Sequence, residues 1–187
     1  LTVEKKTPLF HFIKKGVYSK LNTDQASRQF LITRKKLTNA GYKHYEISNF
    51  AQDGYVSRHN KNYWNKTHYL GIGPSAHSFN GISRQWNINN NLKYCNTIEK
   101  NIKHYELEKL SRTNIINEYI LTSLRTSNGI QQTLLYSKMT ELELKKFNSQ
   151  IEQFIALGLI RKKQNSLSCT ESGMLILDSI SSDLFLI

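Results

Sequence analysis

The sequence predicts an α/β fold over residues 1–95, followed by a mainly helical, winged-helix-like part over 113–187. Three observations predict it. "LTVE", "NTDQASRQFLITRKKLTNAG" and "YKHYEISNFA" read in order as strand, helix and strand, the βαβ unit of a parallel sheet. From about residue 113 apolar residues recur at helical spacing between capping signals. "LIRKKQNSLSCT" has two hydrophobic arms around a polar tip, the pattern of a hairpin.

The elements follow in order. Val3 between polar neighbours gives the first strand, and residues 5–21 read as an irregular basic loop. Asn22 followed by Gln25 resembles a capping box. Ala26, Phe30, Thr33 and Leu37 trace one helical face, and Gly41 is a natural stop. Tyr45, Ile47 and Asn49 alternate with His44, Glu46 and Ser48 in the next strand. "YLGIGPSAHSF" starts as a strand, then its glycines and Pro74 force a loop. Residues 84–96 are Asn-rich and read as irregular, and Asn96 with Glu99 predicts a short helix over 97–107. Residues 96–112 thus form a connection. Beyond it Ile115, Ile116, Tyr119, Ile120 and Leu124 suit a buried helical face that ends at Ser127-Asn128-Gly129. A short helix is expected over 131–137. Thr140 and Glu143 form a capping box ahead of Phe147, Ile151, Phe154 and Ile155, and Gly158 closes that helix. After the hairpin, Thr170 caps a last helix carrying Leu175, Ile176, Ile180 and Leu184.

At 39% hydrophobic and 21% charged residues the chain is globular rather than disordered. It has no apolar run long enough for a membrane helix and no signal-peptide pattern, so a cytoplasmic location is expected. It opens on "LTVE" without Met, mid-pattern, which suggests a piece of a longer protein. Cys95 and Cys169 are too far apart in sequence for a zinc pattern or a disulfide framework. The net charge of +12 is uneven: residues 1–60 carry +7, residues 61–112 carry +5, and the rest is neutral. A polyanion would therefore meet the first 112 residues, although the basic runs are short enough to be an ordinary solvated surface. The tail layout raises a third class, a winged-helix nucleic-acid binder. Its would-be recognition helix carries Glu141, Glu143 and Glu152 against Lys145 and Lys146, which disfavours a major groove, so no nucleic acid is expected.

"SRHNKNYW", residues 57–64, concentrates the chemistry. As a helix it places His59 and Tyr63 at i, i+4 on one face and Asn60 and Trp64 on the next. An imidazole beside aromatic rings suits a flat macrocycle: the nitrogen ligates iron and the rings stack. Arg58 and Lys61 are placed to pair with its carboxylates. The plain alternative is a surface helix with a half-buried Trp. In "GIGPSAH", Gly71 and Gly73 allow the backbone to approach a ligand, and His77 adds a possible base; the plain alternative is a tight turn after a strand. Glu46 sits toward the C-terminal end of a predicted parallel strand, where barrel sites gather, and a buried structural carboxylate explains it equally.

"GYKHYEISNFA", "SRHNKNYW" and "YLGIGPSAHSFNGISRQWN", in this order and spacing, resemble the motifs of the oxygen-independent coproporphyrinogen III oxidase family, a radical SAM family, most of all its heme-chaperone branch. The resemblance covers roughly residues 1–95 closely and the tail from 113 more weakly. It implies a partial (β/α) barrel whose C-terminal part is residues 1–95, followed by the C-terminal domain at 113–187. It implies a [4Fe-4S] cluster held by a CxxxCxxC motif, and S-adenosylmethionine, both bound in a missing N-terminal barrel portion. This chain lacks that motif, so it is expected to be inactive alone and to hold no cluster. Within the family an HNxxYW motif marks the heme chaperones. Here it is complete as His59-Asn60-Lys61-Asn62-Tyr63-Trp64, which implies heme contacts at Arg58, His59, Asn60, Tyr63 and Trp64, with His59 on the iron. Gly71 and Gly73 match glycines near the family's S-adenosylmethionine pocket. The function implied is heme binding and delivery to heme-acceptor proteins. The alternative is a fragment of a coproporphyrinogen III dehydrogenase of porphyrin biosynthesis.

Overall fold

The computed structural model describes residues 3–20 and 22–187. The chain divides into two compact units, Leu1–Gly41 and Tyr42–Ile187.

In the first unit Pro8 starts helix α1 (Pro8–Lys14), whose first turn is capped by the Thr7 hydroxyl accepting from Phe10 N. Pro suits this position because the first helical N–H groups have no intrahelical acceptor. The stretch expected to be an irregular loop therefore contains a helix. Helix α2 (Thr23–Asn39) starts where expected, with the Asn22 side chain accepting from Gln25 N. Gly41 follows it at φ +86, a conformation that only glycine adopts without strain. The strand expected over 1–4 falls partly outside the described residues; Val3 and Glu4 are not in a strand.

The second unit opens on strands β1 (Lys43–Glu46) and β2 (Asn49–Ala51), which pair antiparallel with Lys43 opposite Ala51. The alternation of this stretch predicts one strand of a parallel sheet. Instead it turns at Ile47-Ser48, because a partner within the same ten residues is reached at little loop-closure cost. All sheets among the described residues are antiparallel. Helix α3 (Arg58–Trp64) follows, then strands β3 (His77–Phe79) and β4 (Ser83–Asn87), helix α4 (Asn91–Glu99) and strand β5 (Tyr105–Lys109). The three strands form one sheet in the order β3-β4-β5. Two expectations change here. The Asn-rich stretch contains β4 and the start of α4, because Asn90, not Asn96, is the cap that accepts from Lys93 N. The residues expected to continue that helix form β5, which adds its backbone to the free edge of β4.

The remaining elements are α5 (Arg112–Leu124), β6 (Ile130–Gln131), α6 (Gln132–Tyr136), α7 (Glu141–Ala156), β7 (Ile160–Lys163), β8 (Ser166–Cys169), α8 (Glu171–Leu175) and α9 (Leu177–Asp183). The capping box at Thr140 is present with both of its hydrogen bonds. Arg112 pairs with the capping Glu143 and holds its carboxyl well below the usual range, down to about 2. The expected hairpin is β7 and β8, joined by β6 in the order β6-β8-β7. The last helix is two, broken at Ile176.

The apolar core lies in this part. Ile116, Ile120 and Leu124 of α5 meet Phe147 and Ile151 of α7, Leu167 of β8 and Ile180 of α9, all buried. The β1–β2 hairpin is tied to the end of α5: Ile47 N donates to Arg125 O (2.8 Å) and Ser127 N to Tyr45 O (3.0 Å). These bonds fix the backbone on both sides of the site described next.

Candidate functional site

Helix α3 is short, and its ends are defined by its own sequence. The Ser57 hydroxyl accepts from Asn60 N at 3.2 Å. At the other end Lys66 takes φ +55 and Thr67 N returns to Asn62 O (3.0 Å), closing the last turn. With helical phase fixed, the two faces diverge.

The outer face carries His59 and Tyr63, one turn apart, their rings edge to face with centroids 5.0 Å apart. Tyr63 meets Tyr69 at 5.1 Å, and Tyr69 lies 6.1 Å from the buried Phe79 of β3. A ladder of rings therefore runs from the exposed His59 down to the sheet. Burial pushes the Tyr69 phenol up, so it stays protonated. Neither ring nitrogen of His59 has a hydrogen-bond partner among the described residues. Arg58 is exposed beside it, and Asn60 is half-buried.

The inner face is different. Lys61 and Trp64, with Asn65 and Lys66, form one wall of a cavity of ≈ 690 Å³. Its other walls come from β1 and from the α5–α6 region, including His44, Tyr119 and Leu134. Trp64 Nε1 is buried without a hydrogen-bond partner. Lys66 Nζ donates to Ile115 O at 2.9 Å and stands 5.7 Å from the centre of the Tyr119 ring. Burial pulls the Lys66 pKa down, since the charged form loses hydration. The sequence does not point to this cavity. Tyr119 is far from Trp64 along the chain, and only the tertiary fold brings them together.

A Cβ on Gly71 would lie 2.1 Å from the His77 carbonyl oxygen, so the glycine is needed where two backbone segments cross. Gly73 takes φ +103 with open space around it. The buried Asn87 side chain donates to the Gly71 (3.3 Å) and Gly73 (2.9 Å) carbonyls, and its own Oδ1 has no partner. Gly71→Ala is expected to cost about 1–3 kcal/mol, the range for an overpacked site. Chemical denaturation measures it; an unchanged midpoint would mean that the segments separate freely. Glu46 is buried and accepts a hydrogen bond from the Asn49 amide, which ties the ends of the β1–β2 turn. His77 is exposed on β3.

No group of three or more His, Cys, Asp or Glu side chains is placed to hold a metal among the described residues. Cys95 is exposed on α4; Cys169 is buried on β8, where burial pushes its thiol up to about 12. A thiol so far from its thiolate form is a poor cluster ligand, and the residues of this chain do not fit an iron–sulfur cluster. No helix among the described residues is long and apolar enough to cross a membrane.

This arrangement of elements has a solved counterpart. The structure matches coproporphyrinogen III oxidase HemN from Escherichia coli, a radical SAM enzyme, with a TM-score of 0.63 over 83% of this chain and 39% of that one, at 19% identity. The fold class is thus a mixed α/β fold found within a radical SAM enzyme. Among curated proteins, the chain is 28% identical to the heme chaperone HemW of Bacillus subtilis, over 94% of this chain and 47% of that protein. It is 28% identical to the mouse mitochondrial protein called radical S-adenosyl methionine domain-containing protein 1, over 96% and 43%. It is 27% identical to HemW of Mycobacterium tuberculosis, over 96% and 44%. The chain spans less than half the length of these relatives. No protein-family model matches it. The resemblance to the oxygen-independent coproporphyrinogen III oxidase family of radical SAM proteins, most like its HemW branch, holds along nearly the whole chain.

Proposed function

We propose that the chain is the C-terminal portion of a HemW-like heme chaperone, which binds heme at α3 and delivers it to acceptor proteins. Residues 1–95 would correspond to the end of a partial (β/α) barrel and 113–187 to a winged-helix-like C-terminal domain. The [4Fe-4S] cluster and S-adenosylmethionine would be bound by other parts of the full-length protein. Its place would be the cytoplasm, although the mouse relative bears a mitochondrial name.

The single observation that carries this reading is the outer face of α3. An exposed imidazole with both nitrogens unpartnered stands against the edge of an exposed Tyr63 ring. Heme is the cargo here. The imidazole nitrogen suits an axial iron position, the tyrosine ring suits the porphyrin face, and Arg58 suits a propionate. Trp64, which lines the cavity on the neighbouring face of the helix, would support the heme through helix position rather than by stacking.

Titrating the 187-residue chain with hemin tests this. The expected result is a saturable Soret shift near one equivalent. A spectrum that only sums free hemin and protein would overturn it. Incubating the full-length protein with coproporphyrinogen III and S-adenosylmethionine distinguishes the dehydrogenase: a decarboxylated product would replace the chaperone assignment.

A further inference from the structure

We infer that the open edge of β5 is a docking site for an extended segment of another protein, one that carries lysine or arginine at alternate positions around an apolar residue. This goes beyond the heme proposal and does not rest on it, because none of the residues argued for heme lies on β5.

The register leaves the strand half-paired. β4 lies between β3 and β5, so β5 is an outer strand of its sheet. The other outer strand, β3, is met at Phe79 by Tyr69, and the two residues exchange both backbone hydrogen bonds at 2.9 Å. Along β5, Leu110 N donates to Ile82 O (3.0 Å) and Ile88 N to His104 O (2.9 Å). Bonded pairs alternate in an antiparallel ladder. Glu106 and Glu108 therefore turn their backbone groups to β4, and Tyr105, Leu107 and Lys109 turn theirs outward. No hydrogen bond among the described residues reaches those outward groups. Glu106, Leu107, Glu108 and Lys109 are all exposed, and neither a proline nor a bulge interrupts the strand.

The side chains select the occupant. Glu106 and Glu108 project from one face of the strand, and Tyr105, Leu107 and Lys109 from the other. Trp86 Nε1 donates to Glu106 Oε2 at 3.1 Å, which fixes the position of that carboxylate. Glu108 has no ion-pair or hydrogen-bond partner among the described residues, since Arg84 across the ladder is committed to Glu118 at 3.0 Å. A second copy paired about Leu107 would set Glu106 of each chain opposite Glu108 of the other, like charges that destabilise the pairing. An added strand with cations at those positions gains opposite-charge pairs instead, and an apolar residue between them meets the exposed Leu107.

The probe is a short end-blocked peptide of alternating lysine and valine, titrated to millimolar concentration into the 187-residue chain and followed by amide NMR. The expected result is saturable shifts at Tyr105, Leu107 and Lys109, with slowed hydrogen exchange at Leu107. In the inferred register the valine N–H groups face β5 and the lysine N–H groups face away. Methylating the valine nitrogens is therefore expected to abolish binding, and methylating the lysine nitrogens to spare it. Glutamate in place of lysine is expected to weaken binding about tenfold or more, and Glu108→Gln to weaken it about threefold. Leu107→Pro removes only an outward N–H, so it is expected to keep the fold and lose the peptide. Should that variant unfold, the valine-methylated peptide gives the same reading on unaltered protein. No shift on β5, equal binding of the valine-methylated peptide, or equal binding of the glutamate peptide would each overturn the inference. Concentration-dependent shifts at these amides without peptide would assign the edge to a second copy, and would overturn it too.

Discussion

His59→Ala is expected to lower hemin affinity about a hundredfold while the protein keeps its fold. Removing a residue that only supports a metal ligand costs about 10–100-fold, so removing the ligand itself belongs at or beyond the upper end. The substitution leaves the helix intact on physical grounds. Alanine is a better helix former than histidine, and the cap of α3 is Ser57, which is untouched. His59 is exposed and makes no hydrogen bond among the described residues, so no buried partner is orphaned. Trp64→Ala is expected to cost less heme affinity, because the indole faces the cavity. Arg58→Ala is expected to act through an exposed charge, and its effect to shrink at high salt. Equal losses in all three variants would point to general damage to α3 rather than to a ligand.

Phe147→Ala is expected to destabilise the second unit by about 3–5 kcal/mol, the usual cost of deleting a buried aromatic ring. Phe147 is 1% exposed and sits one turn before Ile151 on the inner face of α7. Tyr136 meets its ring edge to face at 6.3 Å. That tyrosine is itself fixed: its hydroxyl donates to Asn148 Oδ1 (2.6 Å) and accepts from Gln132 Nε2 (2.7 Å). The neighbours are therefore poorly able to collapse into the space left by the ring. For a unit of this size the loss corresponds to roughly 6–20 °C in Tm. Phe147→Leu, which keeps most of the volume, is expected to lose less than about 1.5 kcal/mol. Calorimetry separates the two. A Phe147→Ala midpoint within a degree or so of the parent would contradict the assigned core.

The sequence was most informative where local chemistry decides structure. Thr140 with Glu143, the polar tip between two apolar arms, and the isoleucine spacing of α5 each act within a few residues, and each element formed where expected. The pairing of His59 with Tyr63 was legible for the same reason, since i, i+4 neighbours meet on any helix. Sheet partners were not legible. Tyr45 to Phe50 alternates as one strand would, and nothing in Ile47-Ser48 marks a turn as glycine or proline would. "YELEK" became a strand because β4 offered it an edge, a tertiary fact. Gly71 looked like a place for a ligand; the group approaching it is the His77 carbonyl, and glycine spacing alone does not distinguish the two. The cavity behind α3 depends on Trp64 meeting Tyr119 across the fold, which no window of sequence contains.

The central claim is that His59 supplies the axial nitrogen to heme. Its most direct test is chemical rescue: hemin is added to His59→Gly with and without free imidazole, and the Soret spectrum is compared with that of the parent protein. The account predicts a lost parent spectrum in His59→Gly and its recovery as imidazole fills the vacated position, with no recovery from a non-ligating analogue such as pyrrole. A parent-like spectrum in His59→Gly before any imidazole is added would contradict it.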